Sequence, residues 1–251
     1  MKNNANNGEE ELNTATEVRE ALLALADPAR AEHHQRFFRT GVGEYGEGDV
    51  FWGLTTPLVR SVVRHARHVR FAELEVLLAD PVHEVRACAA GIVVWRFEHA
   101  RSEEERQSII DFYLGHTAGL NNWDLVDTSC GILGTWLLDR ERSILYRLAE
   151  SKNMWEQRIA MVSTSVLIRH GQLADALKLA EMLLNHPHDL LHKAVGWMLR
   201  EVGKKDKAAL ESFLARYAAT MPRVALRYSI EKMTPEERKY WMLLGERQKR
   251  S

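Results

Sequence analysis

The sequence predicts an all-α fold, a solenoid of antiparallel helical pairs, and three observations carry that prediction. Apolar residues recur at three- and four-residue spacing through nearly the whole chain, no segment sustains the alternation of a strand, and longer helical stretches alternate with shorter ones. The expected pairs are 82–98 with 102–115, 123–138 with 141–150, 154–169 with 172–184, and 188–202 with 206–219. Their starts fall about 30 to 40 residues apart, near the length of helical solenoid repeats.

Each element has a local reason. Val82, Val85, Ala89 and Ile92 form one apolar stripe, and Trp155, Ile159, Val162 and Val166 form another. Asp80-Pro81 reads as a helix start, Ser102 with Glu105 as a capping box, and Thr234-Pro235-Glu236-Glu237 as a capping box with proline in the first turn. Gly171, Gly203 and Gly245 stand where helices are expected to stop. The glycine-rich segment Thr40 to Asp49 interrupts the N-terminal helices. It has neither the preceding strand nor the following Lys-Ser/Thr of a phosphate-cradling loop. Residues 1–13 are polar and read as a flexible tail, and residues 14–251 as a single helical-repeat domain.

Composition narrows the function classes. A chain of 251 residues, 45% hydrophobic and 27% charged, can bury an ordinary core, which excludes disordered and fibrous proteins. The longest apolar run, Ala87 to Trp95, is too short to span a membrane, and the first residues lack an apolar leader, so the expectation is a soluble cytoplasmic protein. Cys88 and Cys130 form no CxxC pair and read as small buried residues. The net charge of -1 conceals an uneven distribution: the first 27 residues hold six acids against two bases, whereas from Arg200 onward 13 Lys/Arg face 7 Asp/Glu. A modest basic surplus on one face suits phosphate binding, although Lys and Arg at chain ends are commonly just solvated surface.

The helix after Pro57 carries Arg60, Arg64 and Arg67 at i, i+4 and i+7, with Arg70 a turn further and no acid between Thr55 and Arg70. Such a ridge can neutralise successive phosphates, although a charge stripe is also what a solvated face looks like. In Asn121-Asn122-Trp123-Asp124-Leu125-Val126-Asp127, the four-residue spacing puts Trp123 and Asp127 on one helix face, which Gly131 and Gly134 continue as a surface open to close approach. Leu125, Ile132 and Trp136 supply the opposite, buried face. Asp124 and Asp127 could equally be acids that favour a helix N-terminus. Trp95, Trp136 and Trp155 sit in apolar stripes and are expected in the core. His186, His188 and His192 with Asp189 lack an HExxH pattern and read as a helix start, so no metal is expected.

Three ordered segments give the sequence a specific resemblance: Asn-x-Trp-Asp-Leu-Val-Asp at 121–127, Trp155-Glu156-Gln157-Arg158-Ile159-Ala160, and Lys193-Ala194-Val195-Gly196-Trp197-Met198-Leu199-Arg200-Glu201. Together with Phe51-Trp52-Gly53-Leu54-Thr55-Thr56-Pro57, which is similar to a Gly-x-x-x-Pro element, they resemble the AlkD-type DNA alkylation-repair glycosylases over most of residues 35–230. The resemblance implies a right-handed solenoid of HEAT-like antiparallel helical pairs with a concave DNA-binding groove. It implies that Trp123 and Trp197 are the cleft tryptophans, Asp127 the catalytic carboxylate and Arg158 a cleft arginine that holds a backbone phosphate. Without the resemblance, the competing reading of Arg158 is an ion pair with a neighbouring acid. Thr55 and Thr56 stand where family members approach the damaged pair, a threonine replacing the usual glutamine.

The implied activity is hydrolysis of the N-glycosidic bond of cationic alkylated purines, N3-methyladenine and N7-methylguanine, in base-excision repair. It needs no cofactor, and the implied partner is double-stranded DNA met by a monomer, nucleoid-associated when acting. Lys193 lies one turn before Trp197 but the resemblance gives it no Schiff-base role, so the expected enzyme is monofunctional. Two other readings stay open: a non-catalytic scaffold for damaged or branched DNA, and a protein- or RNA-binding repeat module.

Overall fold

The computed structural model describes residues 11–247, and among these the regular elements are helical; the single β-bridge joins Val50 to Val82. No helix among the described residues is long and apolar enough to cross a membrane. The expected tail lies largely outside the described residues, and its last part is tied down: the Leu12 N–H donates to the His65 carbonyl at 3.0 Å. Contacts divide the chain into two compact units, Met1–Ser129 and Cys130–Ser251.

The N-terminal unit contains α1 (Ala15–Leu23), α2 (Pro28–Phe37), α3 (Thr56–Ala66), α4 (Phe71–Leu78), α5 (His83–His99), α6 (Glu103–Gly115), a 3-10 turn at Thr117–Gly119, and α7 (Trp123–Ser129). Its centre is α5, which packs on α1, α3, α4, α6 and α7. The stripe Val82, Val85, Ala89 and Ile92 is buried, as its spacing requires. The Ser102 hydroxyl accepts the Glu105 N–H at 3.2 Å, while the Glu105 carboxylate takes the Arg101 N–H rather than that of Ser102, so the capping box is met on one side only.

The C-terminal unit contains α8 (Gly131–Trp136), α9 (Ser143–Ala149), α10 (Met154–Arg169), α11 (Ala174–Leu183), α12 (Asp189–Lys205), α13 (Lys207–Tyr217), α14 (Arg223–Ser229) and α15 (Pro235–Arg247). Helices α10 and α12 pack together, with α8 and α9 against α10, α13 and α14 against α12, and α11 against both. The stripe Trp155, Ile159, Val162 and Val166 is buried. Thr234 and Glu237 form the reciprocal capping box, at 2.9 and 3.3 Å.

Four sequence expectations are corrected. The single helix over 123–138 is two, α7 and α8. Thr128 and Ser129 turn their hydroxyls back onto the Asp124 and Leu125 carbonyls at 2.6 Å, competing with the helix ladder just before Gly131. Gly203 and Gly245 do not end helices: α12 runs on to Lys205 and α15 to Arg247. Gly203 is there for packing, because a Cβ would lie 2.4 Å from the Leu210 side chain. Gly171, at φ +77, does close α10 in the left-handed conformation. Gly134 is not an open surface: its Cβ would meet the Ser163 carbonyl at 2.2 Å, so it lets α8 and α10 touch, whereas Gly131 faces open space. Trp95 is half-buried rather than core. Its ring stacks on His99 at 4.1 Å with the Arg67 guanidinium 5.7 Å from its centroid. Trp136 and Trp155 are buried, as expected.

Candidate functional site

In the N-terminal unit, α7 presents Trp123 and Asp127 one turn apart, both half-buried, while Leu125 and Val126 between them are buried. The Trp123 N–H donates to the Asn122 side-chain oxygen at 2.8 Å. The indole does not stand alone. Phe38 stacks on it with centroids 5.4 Å apart and planes 21° apart, and Phe37 meets it edge-on at 6.0 Å while remaining 56% exposed. Such an aromatic set offers electron-rich faces to a cation or a base.

Of the charged residues next to this set, Asp49, His83 and Arg86 are buried and Asp124 is partly exposed. Asp49, the last residue of the glycine-rich segment, accepts from Arg86 Nη2 at 2.6 Å and Asn122 Nδ2 at 3.1 Å, and lies 3.4 Å from His83 Nδ1. The other ring nitrogen, His83 Nε2, is 2.8 Å from Asp124 Oδ2. Burial opposes charge on His83, but the hydrogen bonds to Asp124 and Asp49 prevail and push its pKa up to about 9. For Asp49, burial would raise the pKa, yet His83, Arg86 and Asn122 together hold the carboxyl below its usual range.

The segment Trp52–Thr56 is held by another buried acid. Glu84 accepts the backbone N–H groups of Trp52, Gly53 and Leu54 at 3.0, 2.8 and 3.1 Å. Gly53 adopts φ +78, and a Cβ there would lie 2.3 Å from the Asp27 carbonyl, so only glycine fits. This delivers Thr55 as the residue before α3, with its side chain making no capping bond, and exposed Thr56 and Pro57 as the first helical residues. Helix α3 buries Val59, Val62, Val63 and Ala66 and turns Arg60 and Arg64 outward, exposed. Arg67 departs from the ridge: it is half-buried, lies over Trp95, and its Nε donates to His68 at 3.3 Å.

In the C-terminal unit, Trp197 is half-buried on α12. The preceding Gly196 lets α14 come close, since a Cβ would meet the Ala225 carbonyl and Tyr228 Cβ at 2.5 Å each. Lys193 forms an ion pair with Asp189 at 2.6 Å on the same helix. Arg158, on α10, is 5% exposed, and its Nη1 donates to the Leu190 carbonyl at 2.6 Å, bracing the first turn of α12. His186 Nδ1 accepts the His188 N–H at 3.0 Å and His188 Nδ1 accepts the Leu190 N–H at 3.2 Å, so His188 caps α12. Burial pulls both imidazoles below the usual histidine range, in keeping with rings that accept.

Sequence reading singled out Trp123 and Asp127, and the chain folds them onto one helix. It did not find Phe37, Phe38, Asp49, His83 or Glu84. The available signal was His83-Glu84-x-Arg86, three ionisable residues directly before the apolar run Ala87 to Trp95, where buried charge demands partners.

The all-α chain thus carries a partly exposed tryptophan with a carboxylate one turn away, beside an aromatic cluster. Comparison makes the class specific. A family model described as DNA alkylation repair enzyme matches residues 18–233, and the chain belongs to that family. Its role therefore lies in the repair of alkylated DNA. Among solved structures, a predicted DNA alkylation repair enzyme from Enterococcus faecalis is 17% identical with a TM-score of 0.65, over 84% of this chain and 97% of that one. That likeness shows the shared fold. No curated protein sequence matches the chain.

Proposed function

We propose that the protein is a monofunctional DNA glycosylase that hydrolyses the N-glycosidic bond of cationic alkylated purines, N3-methyladenine and N7-methylguanine among them. The observation that carries this reading is the pairing of Trp123 with Asp127 on α7, both partly exposed. Alkylation at N3 or N7 makes the base a cationic leaving group, and its departure builds positive charge on the deoxyribose. A carboxylate near C1' stabilises that charge and orients water, and indole faces favour a cation. Asp127 takes the first role; Trp123 in the N-terminal unit and Trp197 in the C-terminal unit take the second.

Phosphate contacts are assigned to exposed Arg60 and Arg64, with Arg67 contributing from its place over Trp95. Thr55 and Thr56 belong with them, at a helix start whose first turn carries no acid and whose N-terminal N–H groups suit an anion. Arg158 keeps its assignment as a phosphate contact, and its bond to Leu190 gives it a second task in bracing α12.

Selection by charge rather than by a base-reading pocket follows from these residue types. Single-turnover reactions on duplexes carrying N7-methylguanine, a bulkier cationic N7 adduct, uracil or 8-oxoguanine test this. The two cationic substrates should be processed and the neutral ones spared, with Trp123→Ala and Trp197→Ala slower. Tight binding of damaged or branched duplex without any base release would establish the scaffold reading instead.

A further inference from the structure

The charges next to Trp123, three of them buried and Asp124 partly exposed, have no part in the chemistry assigned so far. Asp49 comes from the glycine-rich segment, His83 and Arg86 from α5, and Asp124 from α7, residues separated by up to 75 positions that meet in one hydrogen-bonded array. Two carboxylates balance one guanidinium and one imidazolium only when His83 is protonated. A neutral imidazole has one N–H to share between Asp49 and Asp124, so one carboxylate would face a lone pair of the buried ring.

Three routes lead from this array to Trp123. His83 bonds Asp124, the residue after Trp123 in the first turn of α7. Asp49 accepts from Asn122, whose side-chain oxygen accepts the Trp123 N–H. The His83 ring also lies 4.9 Å from that of Phe38, which stacks on the Trp123 indole. We infer that His83, held as an imidazolium between Asp49 and Asp124, is a positioning residue that fixes the first turn of α7 and with it Trp123 and Asp127. His83 acts through these neighbours and touches no substrate, and the inference rests on the glycosylase reading only for the roles given to Trp123 and Asp127.

The surroundings leave His83 as the group whose proton governs the array. Helix α2 presents Phe38 to it, with His34 set against Phe38 and Phe51 and 3.6 Å from Glu84; the segment before α3 presents Asp49 and Phe51, and α7 presents Asp124. On its own helix, Glu84 is occupied by three backbone N–H groups, and the Arg86 guanidinium bonds Asp49 and the Asp80 carbonyl.

The test uses the full chain carrying 5-fluorotryptophan, with the Trp123 resonance assigned by its loss in Trp123→Phe. In the wild type that resonance should move in one step with a midpoint near pH 9, and in His83→Gln the step should vanish and the line broaden at neutral pH. Single-turnover excision should fall by about tenfold in His83→Gln, with duplex affinity unchanged within about twofold. Should His83→Gln not fold, Asp124→Asn carries the test, and its step should move to lower pH. A Trp123 resonance that is flat with pH and identical in wild type and variant overturns the inference. If the wild type releases no base yet Trp123 still tracks His83, the glycosylase reading fails and the positioning role stands.

Discussion

Glu84 Oε1 lies 2.8 Å from the backbone nitrogen of Gly53, and the same carboxylate also holds the N–H groups of Trp52 and Leu54. One buried side chain on α5 thus replaces the secondary structure that the Trp52–Thr56 segment lacks. A glutamine keeps one acceptor oxygen and turns an NH2 toward backbone donors. Glu84→Gln should therefore cost about 1–3 kcal/mol in urea unfolding. A loss below a few tenths of a kcal/mol would mean that other contacts hold the segment.

His83 makes stability depend on alkaline pH, with a definite sign. Its pKa is raised from 6.5 to about 9 in the folded chain, against the effect of burial and because of Asp124 and Asp49. A raised folded pKa contributes stability in full below pH 6.5, and that contribution is lost as pH climbs to about 9. The span corresponds to about 3 kcal/mol. Asp49 acts at the other end, its lowered pKa contributing above the usual carboxylate range and failing on acidification. Urea midpoints from pH 6 to 10 should fall across the His83 window in the wild type and much less in His83→Gln; a midpoint that rises there contradicts the assignment.

Two glycines with opposite surroundings make a paired test. Gly196→Ala places a Cβ 2.5 Å from the Ala225 carbonyl and Tyr228 Cβ, and Gly131→Ala places one in open space. The first should destabilise by about 1–3 kcal/mol, since backbone must move. The second should be neutral or stabilising by up to about 1 kcal/mol, from helix propensity. Thermal melts of both variants decide it, and equal melting temperatures would mean that α12 and α14 separate without cost.

The helices were legible because their signals are local. Each stripe on α5 and α10 is built from residues three or four apart over about three turns, and Thr234 and Glu237 stand three residues apart. The failures share a cause as well. Gly134 and Gly203 look like open or terminal glycines until the neighbouring helix is placed against them, and Trp95 looks apolar until Arg67 and His99 are brought to it. Trp123 and Asp127 were found through one short segment. The array behind them joins residues 41 and 73 positions apart, and charges at such distances look like solvated surface in a linear sequence.

The basic ridge makes a prediction that discriminates among its own members. Arg60 and Arg64 are exposed, while Arg67 leans on Trp95. Replacing Arg60 and Arg64 together by Gln should weaken binding to any duplex and reduce the log-log salt slope by about one to two units. Arg67→Gln should change the slope less. An unchanged slope in the double variant would show that α3 faces away from DNA.

Asp127 bears most directly on what the protein does. Methylated genomic DNA incubated with the wild type should release free N3-methyladenine and N7-methylguanine, identified by mass spectrometry, while Asp127→Asn should release them on the order of a hundredfold more slowly with duplex binding largely intact. Equal release by Asp127→Asn would remove this carboxylate from the chemistry, and no release by the wild type would contradict the glycosylase assignment itself.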